Sequence, residues 1–239
     1  MAGNAIKNDF IYIVLVKAHT GLGKVSRVLS GGYEYSHIAV CKDDRFEDFI
    51  TFSRRRHYAP FDAGFMHETR GCYCFGTHDR VKLKVFRLPI DLRAKRKVYH
   101  FLRHVERQQD NYLFNLYSMV TMPVLHGFMI DDAYNCMSFV GKVVELSGAV
   151  RLQRPYYWYD IQALDALLTP YLFTERYFFD RSYRNPVSGR CTSGRFSQTP
   201  PGYMDRVSLW ENIRLFLRLN KELLSRVRNC RTVSIERRP

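Results

Sequence analysis

The sequence has no long apolar run. Its most hydrophobic stretch near the start, "FIYIVLV" from Phe10 to Val16, has seven residues, far short of the roughly 20 that a membrane-spanning helix needs. Asp9 precedes that stretch, so the basic-then-apolar order of a secretory signal is missing too. Paired cysteine spacing is also lacking. Cys41, Cys72, Cys74, Cys136, Cys191 and Cys230 are scattered, and Cys72 and Cys74 are separated by one residue rather than the two of a CxxC site. These absences argue against a disulfide scaffold or a zinc site and lead to the expectation of a reducing, cytoplasmic setting with free thiols, a peripheral membrane location being the alternative. The glycines of "HTGLGK" lack the full phosphate-loop pattern, so neither a nucleotide nor any other cofactor is expected, and no metal. No internal repeat is visible. Acidic residues are scarce: 23 Asp and Glu against 37 Lys and Arg give a formal charge of +14. Such a field favours anionic partners and says nothing about the fold.

What is present is ordinary globular material. The chain has 239 residues, 46% of them hydrophobic, enough for one sizeable domain and a smaller appendage. Composition divides it into a domain over residues 1–180, a flexible linker or surface loop over 181–206, dense in Arg, Ser, Gly and Pro, and a basic amphipathic helix over 207–239. "FIYIVLVKA" has the β-branched and aromatic content of a buried strand, and "KVSRVLSGG" the spacing of a short helix. "YSHIAVCKDD" and "RFEDFITFS" suggest a hairpin. "RRRHYAPFDAGFMHETRG", with Pro60 and Gly64, has loop character, and "VKLKVFRLP" alternates as a strand does. Asp91 and Asp160 stand where helices would be capped. "LFNLYSMVTMPVLHGFMI" suggests a helix broken near Pro123. In the tail, Trp210, Ile213, Phe216, Leu217, Leu223, Leu224 and Val227 share one helical stripe, with Arg214, Arg218, Lys221 and Arg226 mainly off it. Two roles for that stripe stay open: docking on the protein's own core or a dimer partner, and binding an anionic membrane surface.

One stretch invites chemistry. In "DDAYNCMSFVGKVVELSG", Phe139, Val140, Val143 and Val144 follow Cys136 at helical spacing, which places the cysteine in the first turn of a buried helix. The free N–H groups and positive dipole end of a helix favour an anion there, a thiolate included. A nucleophile also needs a base, and His37 in "YSHIAV" is the best placed of the eight histidines. Alternation assigns Tyr35, His37 and Ala39 to one strand face. On the residues alone, the favoured reading of Cys136 is a small hydrophobe at the edge of a core.

The motifs "YSHIAV" and, about a hundred residues later, "YNCMSFVGKVVE" resemble the circularly permuted papain-like cysteine hydrolases of the NlpC superfamily, particularly the YiiX-like branch. His before Cys is the order that marks the permutation. "ITFSRRRHYAPFDAGFMHE" is similar to the "YSFGRK…PF..GF..E" segment of that group, and "YYWYDIQALDALL" to its "T..DL..L" element. Met137 departs from the Ser that often follows the cysteine. The resemblance covers roughly Phe10 to Leu172. It implies an α+β fold in which an antiparallel sheet or half-barrel packs against the helix carrying the cysteine, with a helical C-terminal extension. It further implies that Cys136 is the nucleophile, His37 its base, and the backbone N–H of Cys136 an oxyanion donor. Tyr134 would be a second donor or a packing residue. The third group would come from "FEDFITFS", which offers Glu47, Thr51 and Ser53; Thr51 is the first choice and Glu47 the alternative. The implied reaction is hydrolysis of an amide, peptide-like or ester bond through a thioester. A lipid acyltransferase or phospholipase, and a binding module without catalysis, are the other readings. The expected partners are an acyl or amide substrate and, through the C-terminal helix, an anionic membrane or a second copy of the chain. A nucleic-acid role rests on net charge alone and is not expected.

Overall fold

A computed structural model describes residues 9–18, 32–74, 78–179 and 199–236. The expected "HTGLGK" turn and "KVSRVLSGG" helix lie outside these residues. The architecture is α+β, built on one six-stranded antiparallel sheet. Its strands are β1 (Asp9–Lys17), β2 (His37–Cys41), β3 (Phe49–Arg56), β4 (Ala59–Glu68), β5 (Arg80–Ile90) and β8 (Leu172–Phe179). They lie in the order β4-β3-β2-β1-β5-β8. A two-stranded parallel pair, β6 (Leu113–Phe114) and β7 (Ala133–Tyr134), stands apart from the sheet.

Both faces of the sheet are covered, which is why β1 is a nearly continuous apolar run. Ile11, Ile13 and Leu15 of β1, Ile38 and Val40 of β2, and Ile50 and Phe52 of β3 join one core. That core is completed by helices α1 (Leu92–Arg107), α3 (Cys136–Ser147) and α4 (Ile161–Leu168). On the opposite face Tyr12, Val14, Val16, Ala39, Cys41 and Phe49 pack with Phe46, Tyr73, Phe178 and Tyr203. Each fully buried Leu, Ile, Val or Phe contributes about 1.5–3 kcal/mol of transfer free energy, so the two layers carry the fold. The helices start where the sequence supplies a cap: Asp91 accepts from Ala94 N–H and Asp160 from Ala163 N–H.

Several expectations need correction. The "loop" after β3 is the edge strand β4. Its Pro60 and its basic neighbours are tolerated because an edge strand is paired on one side only. A further strand, β8, forms the other edge. Helix α2 (Leu116–Leu125) runs through Pro123 and ends two residues later, capped by His126, whose φ of 53° is left-handed. The described end of the expected linker is not a free loop: Tyr203 is buried in the second core, and its carbonyl accepts from His57 N–H. Tyr35 lies outside β2 and packs in the first core with Ile38, not on the face of Ala39.

The C-terminal helix α5 (Leu209–Glu236) docks on its own chain. Leu219 and Leu223 are buried against Leu113, Ile130 and Ala133, and the Phe216 ring meets Phe61 of β4 edge to face. Tyr117 of α2 donates to Asn220, and Arg56 pairs with Glu211. The single expected stripe is therefore two. Leu219, Leu223 and Val227 make the docked seam, whereas Trp210, Ile213, Leu217 and Leu224 remain exposed. No described helix is long and apolar enough to cross a membrane.

Candidate active site

Three element ends converge. Cys136 is the first residue of α3, His37 the first of β2, and Glu68 the last of β4. Cys136 belongs to the first core, where Phe139, Val140, Val143 and Val144 hold α3 against the sheet, as their spacing predicts. Asn135 fixes the start of the helix: its side chain accepts from Ser138 N–H at 2.8 Å, and Ser138 Oγ accepts from Asn135 N–H at 3.0 Å. This reciprocal capping box pins the cysteine at the free end of the helix dipole.

The Cys136 thiol stands beside the His37 ring and acts to raise its pKa. On its other side the ring meets a carboxylate: His37 Nε2 lies 2.8 Å from Glu68 Oε2. With Nε2 occupied, Nδ1 is the nitrogen left for the sulfur. Glu68 is 3% exposed and is satisfied by neutral donors as well: Ser53 Oγ donates at 2.7 Å, and the Tyr73 hydroxyl donates to Oε2. The imidazole thus links a carboxylate network on the second face of the sheet to a thiol in the first core.

Electrostatics follow from that placement. Burial alone would push the His37 pKa down. The Glu68 charge and hydrogen bonds to Cys136 and Glu68 more than offset it and raise the group to about 10. For Glu68, burial acts to raise the pKa, but the His37 charge and donation from His37, Tyr73 and Ser53 hold it below the usual carboxylate value. At neutral pH the pair is imidazolium and carboxylate. Tyr73 is pushed far above an ordinary phenol by burial and by Glu68, so it remains a donor.

The residues expected to supply the third group lie elsewhere. Thr51 is buried on β3, but its hydroxyl donates to the Ile38 carbonyl at 2.9 Å. Glu47 is exposed ahead of β3. Ser53 does reach the site, as a donor to Glu68 rather than to His37. The carboxylate at His37 is therefore Glu68, in a segment read as loop. The signal that could have found it is the final Glu of "ITFSRRRHYAPFDAGFMHE". Tyr134 is engaged in packing: its ring sits 5.5 Å from Phe52 and 6.0 Å from Tyr112 and Phe139, and its hydroxyl is hydrogen-bonded to Tyr156. Burial and that bond raise its pKa well above the ordinary value. Among the described residues no group of three or more His, Cys, Asp or Glu side chains is placed to hold a metal.

The turn leading into Cys136 is held from outside. Asp132 has a left-handed φ of 51°. Arg226 of α5 donates to the carbonyls of Asp131 and Asp132 on this turn, and to that of Asn111 beside β6. Comparison of the chain with family models, with curated proteins and with solved structures finds no match.

Proposed function

We propose that the protein is a cysteine hydrolase of the permuted papain-like kind, cleaving an amide, peptide-like or ester bond through a thioester on Cys136. The observation that carries this reading is the buried chain Cys136–His37–Glu68. An imidazolium beside sulfur is the counter-ion of a thiolate nucleophile. The thiolate attacks the acyl carbon, His37 gives its proton to the departing amine or alkoxide, and water activated by His37 then hydrolyses the thioester. Glu68 orients the ring and keeps it cationic without taking the proton, the part that a third residue plays in such sites.

Alkylation with iodoacetamide tests the pair. Cys136 is expected to react selectively at neutral pH, ahead of Cys41 and of Cys72, whose thiols burial pushes up, Cys72 to about 12. His37→Ala should slow Cys136 by at least about tenfold, since the counter-ion is gone. A rate equal to that of the buried thiols, unchanged by the histidine substitution, would leave only a core cysteine.

A second reading, in which the acyl group belongs to a lipid, is favoured by the outer seam of α5. Trp210 is 73% and Leu217 59% exposed. Arg214 and Lys221 flank this seam on the helical wheel, exposed and without a carboxylate partner among the ion pairs of the described residues. Apolar anchors edged by cations fit an anionic bilayer; two copies of the seam would set like charges against one another. Sedimentation should therefore show binding to phosphatidylcholine vesicles only when phosphatidylserine is included. Binding should fall by about tenfold or more in Trp210→Ser/Leu217→Ser. Equal binding to neutral vesicles, or none to either, rules this version out.

A further inference from the structure

Asn135 caps α3 with only half of its side chain. Its Oδ1 accepts from Ser138 N–H, but Nδ2 has no hydrogen-bond partner, although the residue is 0% exposed. A buried N–H left unpaired costs about 1–3 kcal/mol, and such groups are rare enough in folded proteins to call for a reason.

The chain contains its own control. Asn115 caps α2 in the same way, accepting from Ser118 N–H, and its Nδ2 donates to the Phe128 carbonyl at 3.1 Å. Helices α1 and α4 begin with aspartates and α5 with Ser208, which have no side-chain N–H to leave over. Among the described helix caps, only the one next to Cys136 keeps an amide donor idle. The bond to Ser138 holds its carboxamide at the mouth of α3, in the same turn as the sulfur. The backbone adds donors at this spot. Ser138 N–H and Phe139 N–H are taken by Asn135, whereas those of Cys136 and Met137, the first two of the helix, have no intrahelical acceptor.

Resting on the acyl-transfer reading above, we propose that Asn135 Nδ2 and the Cys136 backbone N–H together form the oxyanion site, making Asn135 a catalytic residue. When Cys136 Sγ bonds to the acyl carbon, the carbonyl π pair moves onto oxygen. Nδ2–H and the backbone N–H receive that oxyanion. The pair returns as C=O re-forms, the bond to the leaving group breaks, and the leaving group departs with its electrons and, where it is an amine or an alkoxide, with the His37 proton; p-nitrophenolate leaves without it. The idle donor is paired only in the tetrahedral state, so the ground-state cost of leaving it unpaired becomes selective stabilisation of that state.

The test uses p-nitrophenyl acetate as acyl donor and iodoacetamide as a probe that forms no oxyanion. Two variants keep an N-cap acceptor and lose the amide N–H: Asn135→Asp, which adds a charge, and Asn135→Ser, which does not. Loss of one oxyanion donor lowers acylation by about 100-fold or more. Both variants should show that fall in p-nitrophenolate release. Their alkylation rate at the high-pH plateau should stay within about twofold of the wild type, and Asn135→Ser, which keeps the cap and removes an unpaired donor, should be no less stable. Wild-type acylation rates in Asn135→Ser would overturn the proposal, as would acylation and alkylation falling together. If the wild-type chain is alkylated at Cys136 but never acylated, the hydrolase reading fails as well. That outcome is distinguishable, because it appears before any variant is compared.

Discussion

Glu68→Gln is expected to cost more than any other single-atom change in the molecule. The substitution keeps the shape of the side chain but only one acceptor oxygen, where Ser53 donates to one carboxylate oxygen and Tyr73 to the other, and it removes the only charge hydrogen-bonded to His37 among the described residues. Taking one partner from a buried ion pair typically destabilises a protein by about 3–5 kcal/mol; loss of the His37 proton limits the damage towards the lower end. The pH dependence identifies the mechanism. His37 is raised in the folded state, from 6.5 to about 10, so its contribution is complete below about pH 6.5 and is lost as pH rises through about 10. Across that window wild-type stability should fall with a slope approaching about 1.4 kcal/mol per pH unit, and in Glu68→Gln the slope should vanish. Glu68 is depressed below 4.5, so its share is present above that pH and is lost as pH falls through the folded value. Urea unfolding from pH 5 to 10, with alkylation of Cys136 in parallel, reads the His37 effect. A variant as stable and as reactive as the wild type at pH 7, with the same slope, would show that Glu68 is only a packed acid.

The second large effect is expected at Gly141, in the interior of α3. Exchange of a mid-helix glycine for alanine ordinarily stabilises by about 0.8–1 kcal/mol. Here the new Cβ would stand 2.5 Å from the Tyr156 carbonyl oxygen, a backbone atom that cannot swing aside. Overpacking of this kind costs about 1–3 kcal/mol, so Gly141→Ala should destabilise despite its better propensity. The segment forced outward carries Tyr156, the hydrogen-bond partner of Tyr134, so strain at Gly141 reaches the residues just ahead of Cys136. A fall in Tm of about 2–8 °C is expected for a chain of this size. A rise would mean that the 156–158 segment yields freely and that the close approach has no structural weight.

How much of this was legible depends on what each residue's signal was made of. Cys136 and the buried face behind it were readable because helical spacing is local. The caps at Asp91 and Asp160 were readable for the same reason. Glu68 was hidden because β4 is an edge strand: Pro60, Gly64 and the arginines that end β3 are tolerated there, and together they imitate a loop. Thr51 looked eligible because it lies in the strand next to His37. Which bond a buried hydroxyl makes is set by strand pairing, and the pairing of Val40 with Ile50 leaves Thr51 beside the Ile38 carbonyl. The tail's single stripe was a projection of two seams, because periodicity records which residues are apolar and not which of them find partners.

Arg226 gives the molecule an order of events. His37, Ser53, Glu68 and Tyr73 lie within the first third of the chain, and the hydrogen bonds among them have both partners there. The turn that presents Cys136 is different, since three of its neighbouring carbonyls are bonded by a side chain close to the C-terminus. On a ribosome, where synthesis runs from the N-terminus, the basic half of the site is made early. The turn before Cys136 lacks these bonds until α5 has emerged. The turn ahead of Cys136 is thus held by a helix made after His37 and Glu68, and a chain cut short before Arg226 carries all three residues without that clasp.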